Sequence, residues 1–500
     1  MTVIRNPHRA FSSANAPISR RRLLAAAGAG LAASALPTPR FLASAATDDF
    51  RVLRARAGQA RLRGEELSPT RVWGYDGGVP GPTLRVKQGE ELRVRLVNEL
   101  AEPTVVHWHG LRLPNAMDGV PHLTQPPIEP GQSFDYRFIA PDAGTFWYHS
   151  HLRSSEQLGR GLYGALIVEE PAPVAVDQDI LLVLDDWRLA DSGQIHESFG
   201  MPMDASHAGR LGQYLTVNSK DLLDIPVQSN QRLRLRLVNA ANARVMPLRL
   251  DRHRATVMAL DGQPTEPFAL PDNRLLLPPG GRADLFVDAA LAAGAKAPFI
   301  LEYGRGEQLA FAHLVYQGEP VRAAALAPPQ PLPANPLPAH LDLQDAFKLE
   351  VPLDGGAMSM MMRGGMMGGG TMGPGTMGPG TMGPGTMGMG GSGMFWALAN
   401  RSSTGHDGPP LFRVARGRTV VLSYINRTAF AHAMHVHGHH FRVLDRSGEG
   451  RKPYWLDTVL VDVEKSERTA FVADNPGKWM IHCHMIEHQE TGMAAWFEVT

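Results

Sequence analysis

Hydrophobic and polar residues alternate in many short runs along this chain, and Gly, Pro and Asn separate one run from the next. Alternation with a period of two places successive side chains on opposite faces of a strand, so each run predicts a half-buried β-strand. Few stretches show the period of a helix. Short strands joined by turn residues are typical of β-sandwiches, and we therefore expect an all-β protein.

One alternating run occurs three times, and each copy ends in Asn. The copies are residues 89–98, 231–239 and 417–426. Nine residues after the final Asn, the first copy reaches His107 and the third reaches His435, whereas the middle copy reaches Leu248. Internal repetition of this kind predicts related domains, and the middle copy retains the strand while core residues replace the histidines.

Histidines two residues apart form four pairs in the outer copies. They are His107 and His109, His149 and His151, His435 and His437, and His482 and His484. Both rings of such a pair lie on one face of a strand. A single pair is weak evidence of a metal site, but four pairs in one chain are strong evidence, and eight imidazoles suffice to hold three copper ions.

Cys483, the only cysteine of the chain, lies inside the last of these pairs. A thiolate, two imidazoles and a weak thioether make a blue-copper electron-transfer site. His488 and Met493 follow the cysteine closely, and His432 is the natural candidate for the second imidazole. On a strand, Cys483 points away from the face that carries its two neighbouring histidines, so one tripeptide would join two metal centres.

These motifs resemble the multicopper oxidase family over about residues 46–500, specifically its three-domain bacterial periplasmic branch of cuprous oxidases and laccases. The resemblance implies three cupredoxin-like Greek-key β-sandwich domains and four coppers. It assigns the type 2 copper to His107 and His435. It assigns the paired type 3 coppers to His109, His149, His151, His437, His482 and His484. It assigns the type 1 copper to His432, Cys483, His488 and Met493.

The resemblance also implies a reaction. One-electron oxidation of a substrate at the type 1 copper would drive four-electron reduction of dioxygen to water at the other three, with Cys483 as the exit for electrons. Asp118 matches the acid that relatives place beside the cluster, and we expect it to deliver protons. Relatives often carry two acids after the second type 1 histidine, whereas this chain has Gln489 followed by Glu490. Glu490 or Glu487 would then relay the protons.

Several histidines remain outside this assignment. His439 and His440 follow a ligand pair directly, but the ligand set is already complete, so we expect them to support the ligands or pack in the core. His122, His207 and His406 receive no role.

The domain boundaries follow from the repeats and from composition. A length of 500 residues predicts two to four domains. We expect a signal peptide at residues 1–45, domain 1 at 46–172, domain 2 without copper ligands at 173–325, a Pro-rich linker at 326–345 and domain 3 at 346–500. We expect the chain to be a monomer.

The first residues resemble a twin-arginine export signal. Arg20-Arg21-Arg22 precede a mild apolar stretch, and Ala43-Ser44-Ala45 has the form of a cleavage site. The stretch is too short and too rich in Ala and Gly for stable membrane insertion. Its removal would take away six Arg and no acid, leaving 43 basic and 49 acidic residues, a balance that argues against nucleic acid as a partner. We expect the twin-arginine machinery to export the protein to the periplasm.

A methionine-rich segment at residues 357–394 bears on the substrate. Of the 22 methionines, 11 lie between residues 358 and 389, where Gly and Pro prevent a packed core. Exposed thioethers favour Cu(I), and the candidate Cu(I) ligands are Met358, Met360, Met361, Met362, Met366 and Met367. The alternative is a low-complexity expansion without a ligand. Thr428 stands where cuprous oxidases can present an acidic ligand, which weakens the case for their fixed substrate site.

Two classes of function stay open on these grounds. The first is a four-copper oxidase that acts on Cu(I) in copper tolerance, or on phenols and aromatic amines as a laccase. The second is a non-catalytic periplasmic copper-binding or scaffold protein on the same fold. Because every ligand position is filled, the sequence favours the oxidase.

Overall fold

The computed structural model of the chain describes residues 49–64, 66–302, 306–357, 393–444 and 454–500. Strands dominate these residues, as the alternating runs predict, and they form three pairs of packed sheets in chain order. Helical turns are short. They are α1 (Ser154–Gly159), α2 (Pro202–Ser206) and α3 (Ile486–Glu490), with 3₁₀ turns at Asn115–Met117 and Pro271–Asn273.

The first sandwich contains two four-stranded sheets, with strand orders β2-β1-β4-β6 and β3-β8-β7-β5. Its strands are β1 (Arg51–Ala60), β2 (Thr70–Tyr75), β3 (Gly81–Lys87), β4 (Glu91–Asn98), β5 (His107–His109), β6 (Ser133–Ile139), β7 (Gly144–His149) and β8 (Tyr163–Glu169).

The middle sandwich contains a six-stranded sheet, β10-β9-β12-β17-β14-β15, and a five-stranded sheet, β11-β19-β18-β13-β16. Its strands are β9 (Gln178–Trp187), β10 (Tyr214–Val217), β11 (Leu223–Val227), β12 (Arg232–Asn239), β13 (Met246–Leu250), β14 (Ala255–Leu260), β15 (Gln263–Ala269), β16 (Arg274–Leu277), β17 (Arg282–Asp288), β18 (Lys296–Glu302) and β19 (Gln308–Tyr316). Leu248 and Leu250 of β13 are buried in the core of this sandwich.

The third sandwich has one sheet in the order β21-β20-β24-β29-β26-β27 and another in the order β22-β31-β30-β25-β28, with β23 beside β31. Its strands are β20 (Phe347–Gly355), β21 (Trp396–Leu398), β22 (Ser403–Thr404), β23 (Arg413–Val414), β24 (Thr419–Asn426), β25 (His432–Val436), β26 (Phe441–Val443), β27 (Trp455–Leu456), β28 (Thr458–Val461), β29 (Ser466–Val472), β30 (Gly477–Cys483) and β31 (Met493–Val499).

The three repeated runs become equivalent strands. Each of β4, β12 and β24 pairs in parallel with the first strand of its sandwich and antiparallel with a later one. The buried Asn at the end of each strand donates from its side-chain amide to at least two backbone carbonyls at 2.7–3.1 Å. The accepting residues are Glu102 and Ile128 for Asn98, Arg244 and Leu277 for Asn239, and Phe430 and Val461 for Asn426. The Asn therefore fixes the loop that leads to the next strand, where the outer sandwiches carry their histidines.

The stretch between the second and third sandwiches runs from the end of β19 to the start of β20 and contains the predicted linker. The Asn335 side chain holds it in place, because its amide accepts from Gln88 Nε2 and Ala143 N and donates to the Ala143 carbonyl and Gln263. In the described part of the chain, no helix is both long and apolar enough to cross a membrane.

Candidate metal centres

Strand pairing in the outer sandwiches brings the four histidine pairs together. In the first sandwich, β5 and β7 are antiparallel neighbours with His107 opposite His149. In the third, β25 and β30 are antiparallel neighbours with His435 opposite His482. All eight paired histidines are buried. Pairs that lie hundreds of residues apart in the chain thus form one cluster.

Within this cluster the ligand atoms divide into groups that lie within 4.8 Å of one another. Two trios are His109, His149 and His484, and His151, His437 and His482. Together they are the six residues that the resemblance assigns to the paired coppers. The remaining two, His107 and His435, lie within the same distance of each other and of His109.

A third trio, apart from the cluster, is His432, Cys483 and His488. The two Nδ1 atoms are 3.1 Å apart, and the Cys483 sulfur is 3.6 Å and 3.7 Å from them. Such separations suit atoms that each lie about 2.0–2.3 Å from one central ion. The turn after β30 into α3 brings His488 back to the cysteine. Met493 is buried at the start of β31, in the same apolar cluster as Cys483.

Outer hydrogen bonds orient the rings. His107 and His435 donate from Nδ1 to the carbonyls of Asp118 and Asp457 at 2.8 and 2.9 Å. His437 Nδ1 lies 2.9 Å from the Asp118 carboxylate. The remaining outer contacts are His149 Nδ1 to Ser150 O, His482 Nδ1 to Cys483 O, His109 Nε2 to Asp457, His432 Nε2 to Thr428 and His488 Nε2 to His207 O. Such contacts turn the other ring nitrogen of each histidine inward.

The inward nitrogens show that the residues fit metal ions. Among the described residues, the buried ring nitrogens without a hydrogen-bond partner include Nε2 of His107, His149 and His435, Nδ1 of His109 and both nitrogens of His484. A buried polar atom without a partner costs free energy, and native structures rarely tolerate several in one place. Imidazole nitrogens and a thiolate are donors suited to copper.

Burial also sets the protonation of these groups. It lowers the pKa of His109, His149, His151, His432, His437, His482 and His484 well below its ordinary value. The rings are therefore neutral, as ligands must be. Burial raises the pKa of the Cys483 thiol to about 12, so metal binding there must displace a proton.

The predicted proton groups lie beside the cluster. Asp118 is buried against His107 and His437. Glu490 accepts a hydrogen bond from the Ser155 amide, and it lines a cavity of about 470 Å³ whose wall also includes His151. Gln489 contacts His151, since its amide nitrogen is 3.5 Å from Nδ1 of that ring.

Glu487 faces the middle sandwich. Its carboxylate accepts a hydrogen bond from Asn242 at 2.9 Å. Burial raises the pKa of Glu487 to about 7.

Sequence analysis missed a buried ion-pair network that links the middle sandwich to the cluster. Arg282, fully buried at the start of β17, donates to Asp457 at 2.8 Å. Asp457 in turn contacts His109 through its carboxylate and His435 through its carbonyl. Burial alone would raise the pKa of Asp457, but Arg282 and His109 hold it well below its usual range. The middle sandwich thus contributes to the ligand support and does more than separate the outer two.

The other histidines lie outside the ligand trios. His439 packs against Phe471, Trp479 and Phe497, and His440 lies 3.6 Å from Asp457. The His207 carbonyl accepts the hydrogen bond of His488 at 2.6 Å. The six candidate Cu(I)-binding methionines and the predicted signal peptide lie outside the described residues.

Comparison with known proteins identifies the class. Multicopper oxidase family models match residues 57–173, 179–315 and 381–500. The chain is 31% identical to multicopper oxidase MmcO of Mycobacterium tuberculosis over 84% of this chain and 81% of that protein. It is 31% identical to copper resistance protein A of Escherichia coli over 40% of each chain. A multi-copper oxidase structure from Pseudomonas thermotolerans matches with 35% identity and a TM-score of 0.76, covering 90% of this chain and 98% of that one.

The chain therefore belongs to the multicopper oxidase family. It is an oxidoreductase that uses dioxygen and has copper as its cofactor. The predictions of the family, of an enzyme and of three cupredoxin-like sandwiches are confirmed.

Proposed function

We propose that this oxidase binds four coppers and oxidises Cu(I) with dioxygen as the acceptor. The observation that carries the four-copper proposal is the grouping of ligand atoms into two histidine trios, a remaining histidine pair and a separate trio with the thiol. When bound, copper at the thiolate site would accept single electrons from the substrate, and the four coppers, each giving up one electron, would together supply the four electrons that dioxygen needs.

In this reaction the protein's own residues would hold the copper ions, connect the two sites and exclude bulk water from them. Cys483 belongs to the thiolate trio, and its chain neighbours His482 and His484 belong to the two cluster trios. The connection between the sites is therefore only a few bonds of backbone, with a further 2.9 Å hydrogen bond from His482 Nδ1 to the Cys483 carbonyl. Burial of every ligand trio excludes bulk water from both sites.

Protons must also arrive at the cluster, and position supports two carboxylates for that task. Asp118 Oδ2 lies 2.9 Å from His437 Nδ1, so a proton held on this carboxylate is at the cluster itself. Glu490 lines the cavity whose wall also includes the cluster histidine His151, and the Ser155 backbone amide holds its carboxylate there. We assign delivery of protons to these two groups.

Cu(I) is the substrate best supported by what surrounds the thiolate trio. Trp396 packs against His488 with ring centroids 4.1 Å apart, and it lies just after the methionine-rich segment. Ala357, at the other end of that segment, donates to the Ser206 carbonyl at 2.9 Å. Both ends of the segment are therefore anchored beside the thiolate site, where thioethers would present Cu(I) to His488. The name of the copper resistance relative also supports this substrate.

The same surface carries two further thioethers, which sequence analysis did not single out. Met201 and Met203 are 48% and 64% exposed, at the start of α2. The residues that follow contact the thiolate site directly, since Ala205 accepts from Trp396 Nε1 and His207 accepts from His488 Nε2. Exposed methionine is uncommon and is a soft ligand, so this pair extends the proposed Cu(I)-binding surface.

Export, assembly and domain limits complete the proposal. We propose that residues 1–45 direct twin-arginine export to the periplasm and that the mature chain acts as a monomer. Domain boundaries near residues 172 and 326 are supported by the ends of the family matches at 173 and 315.

Metal content tests the four-copper proposal. The purified, copper-loaded protein should be intensely blue and should contain about four coppers per chain. Cys483→Ser should remove the blue colour and one copper while the others remain. A colourless preparation that still contains no more than one copper after loading would overturn the proposal.

Deletion of residues 358–392 tests the substrate. We expect turnover of low concentrations of Cu(I) to fall sharply, because the proposed thioether ligands are lost, while phenol oxidation persists. Residues 357 and 393–396 are retained in the variant because Ala357 and Trp396 pack beside the thiolate site. Unchanged Cu(I) turnover together with efficient phenol turnover would instead favour a laccase.

A further inference from the structure

Two histidines outside the copper sites face each other on adjacent loops of the outer sandwiches. The ring centroids of His122 and His406 are 5.2 Å apart. His122 lies in a loop fixed by its own backbone hydrogen bond to Gln125 at 2.8 Å. His406 lies between Thr404, whose hydroxyl is 3.3 Å from its Nδ1, and Asp407. Both rings are exposed, so both can meet an ion from solution.

The spacing of this pair equals that of the copper-ligand pairs. Ring centroids are 5.0 Å apart for His432 and His488, and 5.2 Å apart for His437 and His482. Two imidazoles that share one tetrahedral ion have ring centres about 5 Å apart when each nitrogen is about 2 Å from the ion. The separation of the two rings is therefore the one that binding of a single ion requires.

The charge around the pair also suits a cation. Partial desolvation of the His406 ring in the cavity wall lowers its pKa, while Asp407 beside it raises that pKa and adds a negative charge. Thr404 occupies the Nδ1 side of the His406 ring, which leaves Nε2 as the ligand atom. A neutral imidazole with a nearby carboxylate is a common arrangement around divalent zinc, nickel and copper.

The pair lies where a bound ion would affect access to a cavity. His122 and His406 line the cavity of about 470 Å³ that also includes His151 and Glu490 in its wall. His151 is buried while the pair is exposed, so the pair lies at the outer end of the cavity and the cluster ligand at the inner end.

We propose that His122 and His406 form a binding site for a divalent transition-metal ion such as Zn²⁺, and that the bound ion restricts entry to the cavity leading to His151. The restriction of entry rests on the proposed function, because it requires that dioxygen or protons use this cavity. Imidazole is the commonest protein ligand for such ions, and two imidazoles leave further coordination positions for water.

Zn²⁺ titration of the copper-loaded, tag-free full chain tests the site by calorimetry. Loss of an outer hydrogen-bond partner of a metal ligand typically costs about 10- to 100-fold in affinity, and loss of a ligand costs at least that. We therefore expect His122→Asn and His406→Asn each to weaken one Zn²⁺ site by at least about tenfold, and the double variant to lose it. His340→Asn, an exposed histidine elsewhere, should leave the titration unchanged. An unaltered titration in the double variant would overturn the site.

Oxygen consumption with and without Zn²⁺ tests the consequence. The wild-type rate should fall when Zn²⁺ fills the site. The rate of the double variant should be the same with and without Zn²⁺. Equal inhibition of both proteins, or none of either, would overturn restriction of the cavity. The calorimetric titration needs no turnover, so it would still detect Zn²⁺ binding if the oxidase proposal failed. Failure of the oxidase proposal is therefore distinguishable from failure of the Zn²⁺-site proposal.

Discussion

At the scale of single residues, hydrogen bonds behind the ligands determine how the histidines are used. Neutral imidazole has one donor and one acceptor nitrogen, so a carbonyl that accepts from one nitrogen turns the other toward the ion. Asp118 serves two rings in this way, His107 through its carbonyl and His437 through its carboxylate. Asp457 likewise contacts His109 through its carboxylate and His435 through its carbonyl. Each of these two aspartates therefore supports one histidine of the first sandwich and one of the third.

Loss of Arg282 should destabilise the copper-free protein. In Arg282→Met the Asp457 carboxylate stays buried without its cation, and breaking a buried ion pair costs about 3–5 kcal/mol. Arg413→Met is the control, since its pair with Glu498 is exposed and should change the free energy of unfolding by about 1 kcal/mol or less. Denaturant unfolding measures both. Equal losses in the two variants would show that Arg282 has no special role.

The Asp118→Asn variant distinguishes two roles of the Asp118 carboxylate, which are orientation of the His437 ring and delivery of protons. The amide oxygen can still accept from His437 Nδ1, so we expect the copper content to stay near wild type. An amide does not relay a proton, so turnover should fall by about 10²- to 10⁴-fold. Copper analysis and oxygen consumption on the same preparation provide the measurement. Wild-type turnover would rule out the proton role.

At the scale of elements, short segments between strands place the thiolate site. The turn from β30 into α3 returns His488 to within 3.7 Å of the Cys483 sulfur. β20 and β21 pair at Gly355 and Trp396, so the methionine-rich segment starts and ends where the Trp396 ring lies against His488. The stretch after α2 closes the same site through the His207 carbonyl. Elements of two sandwiches thus surround the thiolate site.

Replacement of the exposed methionines at α2 tests their part in substrate binding. Met201→Leu with Met203→Leu keeps the size and apolar character of the side chains but removes both thioether ligands. We expect KM for Cu(I) to rise severalfold while kcat and phenol oxidation stay unchanged, because the thiolate site is untouched. Steady-state kinetics with both substrates measure this split. A matching rise in KM for phenol would point to a change of shape rather than of ligands.

At the scale of the whole molecule, the candidate copper ligands come from the first and third sandwiches. Each cluster trio takes ligands from both, as His109, His149 and His484 illustrate. The buried Arg282 adds the middle sandwich to the same contact. Residues of all three sandwiches therefore form the cluster and its supporting contacts.

Removal of copper should lower the thermal stability of the whole chain. An ion that binds only the folded state adds about 4 kcal/mol when it is present at a thousandfold excess over its dissociation constant. We expect a clearly lower unfolding temperature for the chelated protein, with recovery on reloading. Calorimetry of the two forms measures the difference, and Cys483→Ser, which keeps the cluster ligands, should lose only part of it. Equal unfolding temperatures with and without copper would contradict a cluster that joins the sandwiches.

Much of the candidate site was predictable because copper ligation depends on residue type and short spacing. The histidine pairs, Cys483 and the repeated Asn-ending strands are visible in the chain itself, and strand periodicity places each pair on one face. Arg282 and the pair His122 and His406 carry no such local signal. Their partners are distant in the chain, so their meaning depends on contacts that only the folded chain creates.

The sequence by itself determined the all-β class, the threefold repetition and the set of candidate copper ligands, because these depend on local alternation and on donor chemistry. The tertiary structure decided which histidines lie together, which ring nitrogen faces inward, and how the middle sandwich supports the cluster. Those outcomes depend on the docking of strands hundreds of residues apart, and the free energy of that docking is spread over buried contacts that no single segment contains.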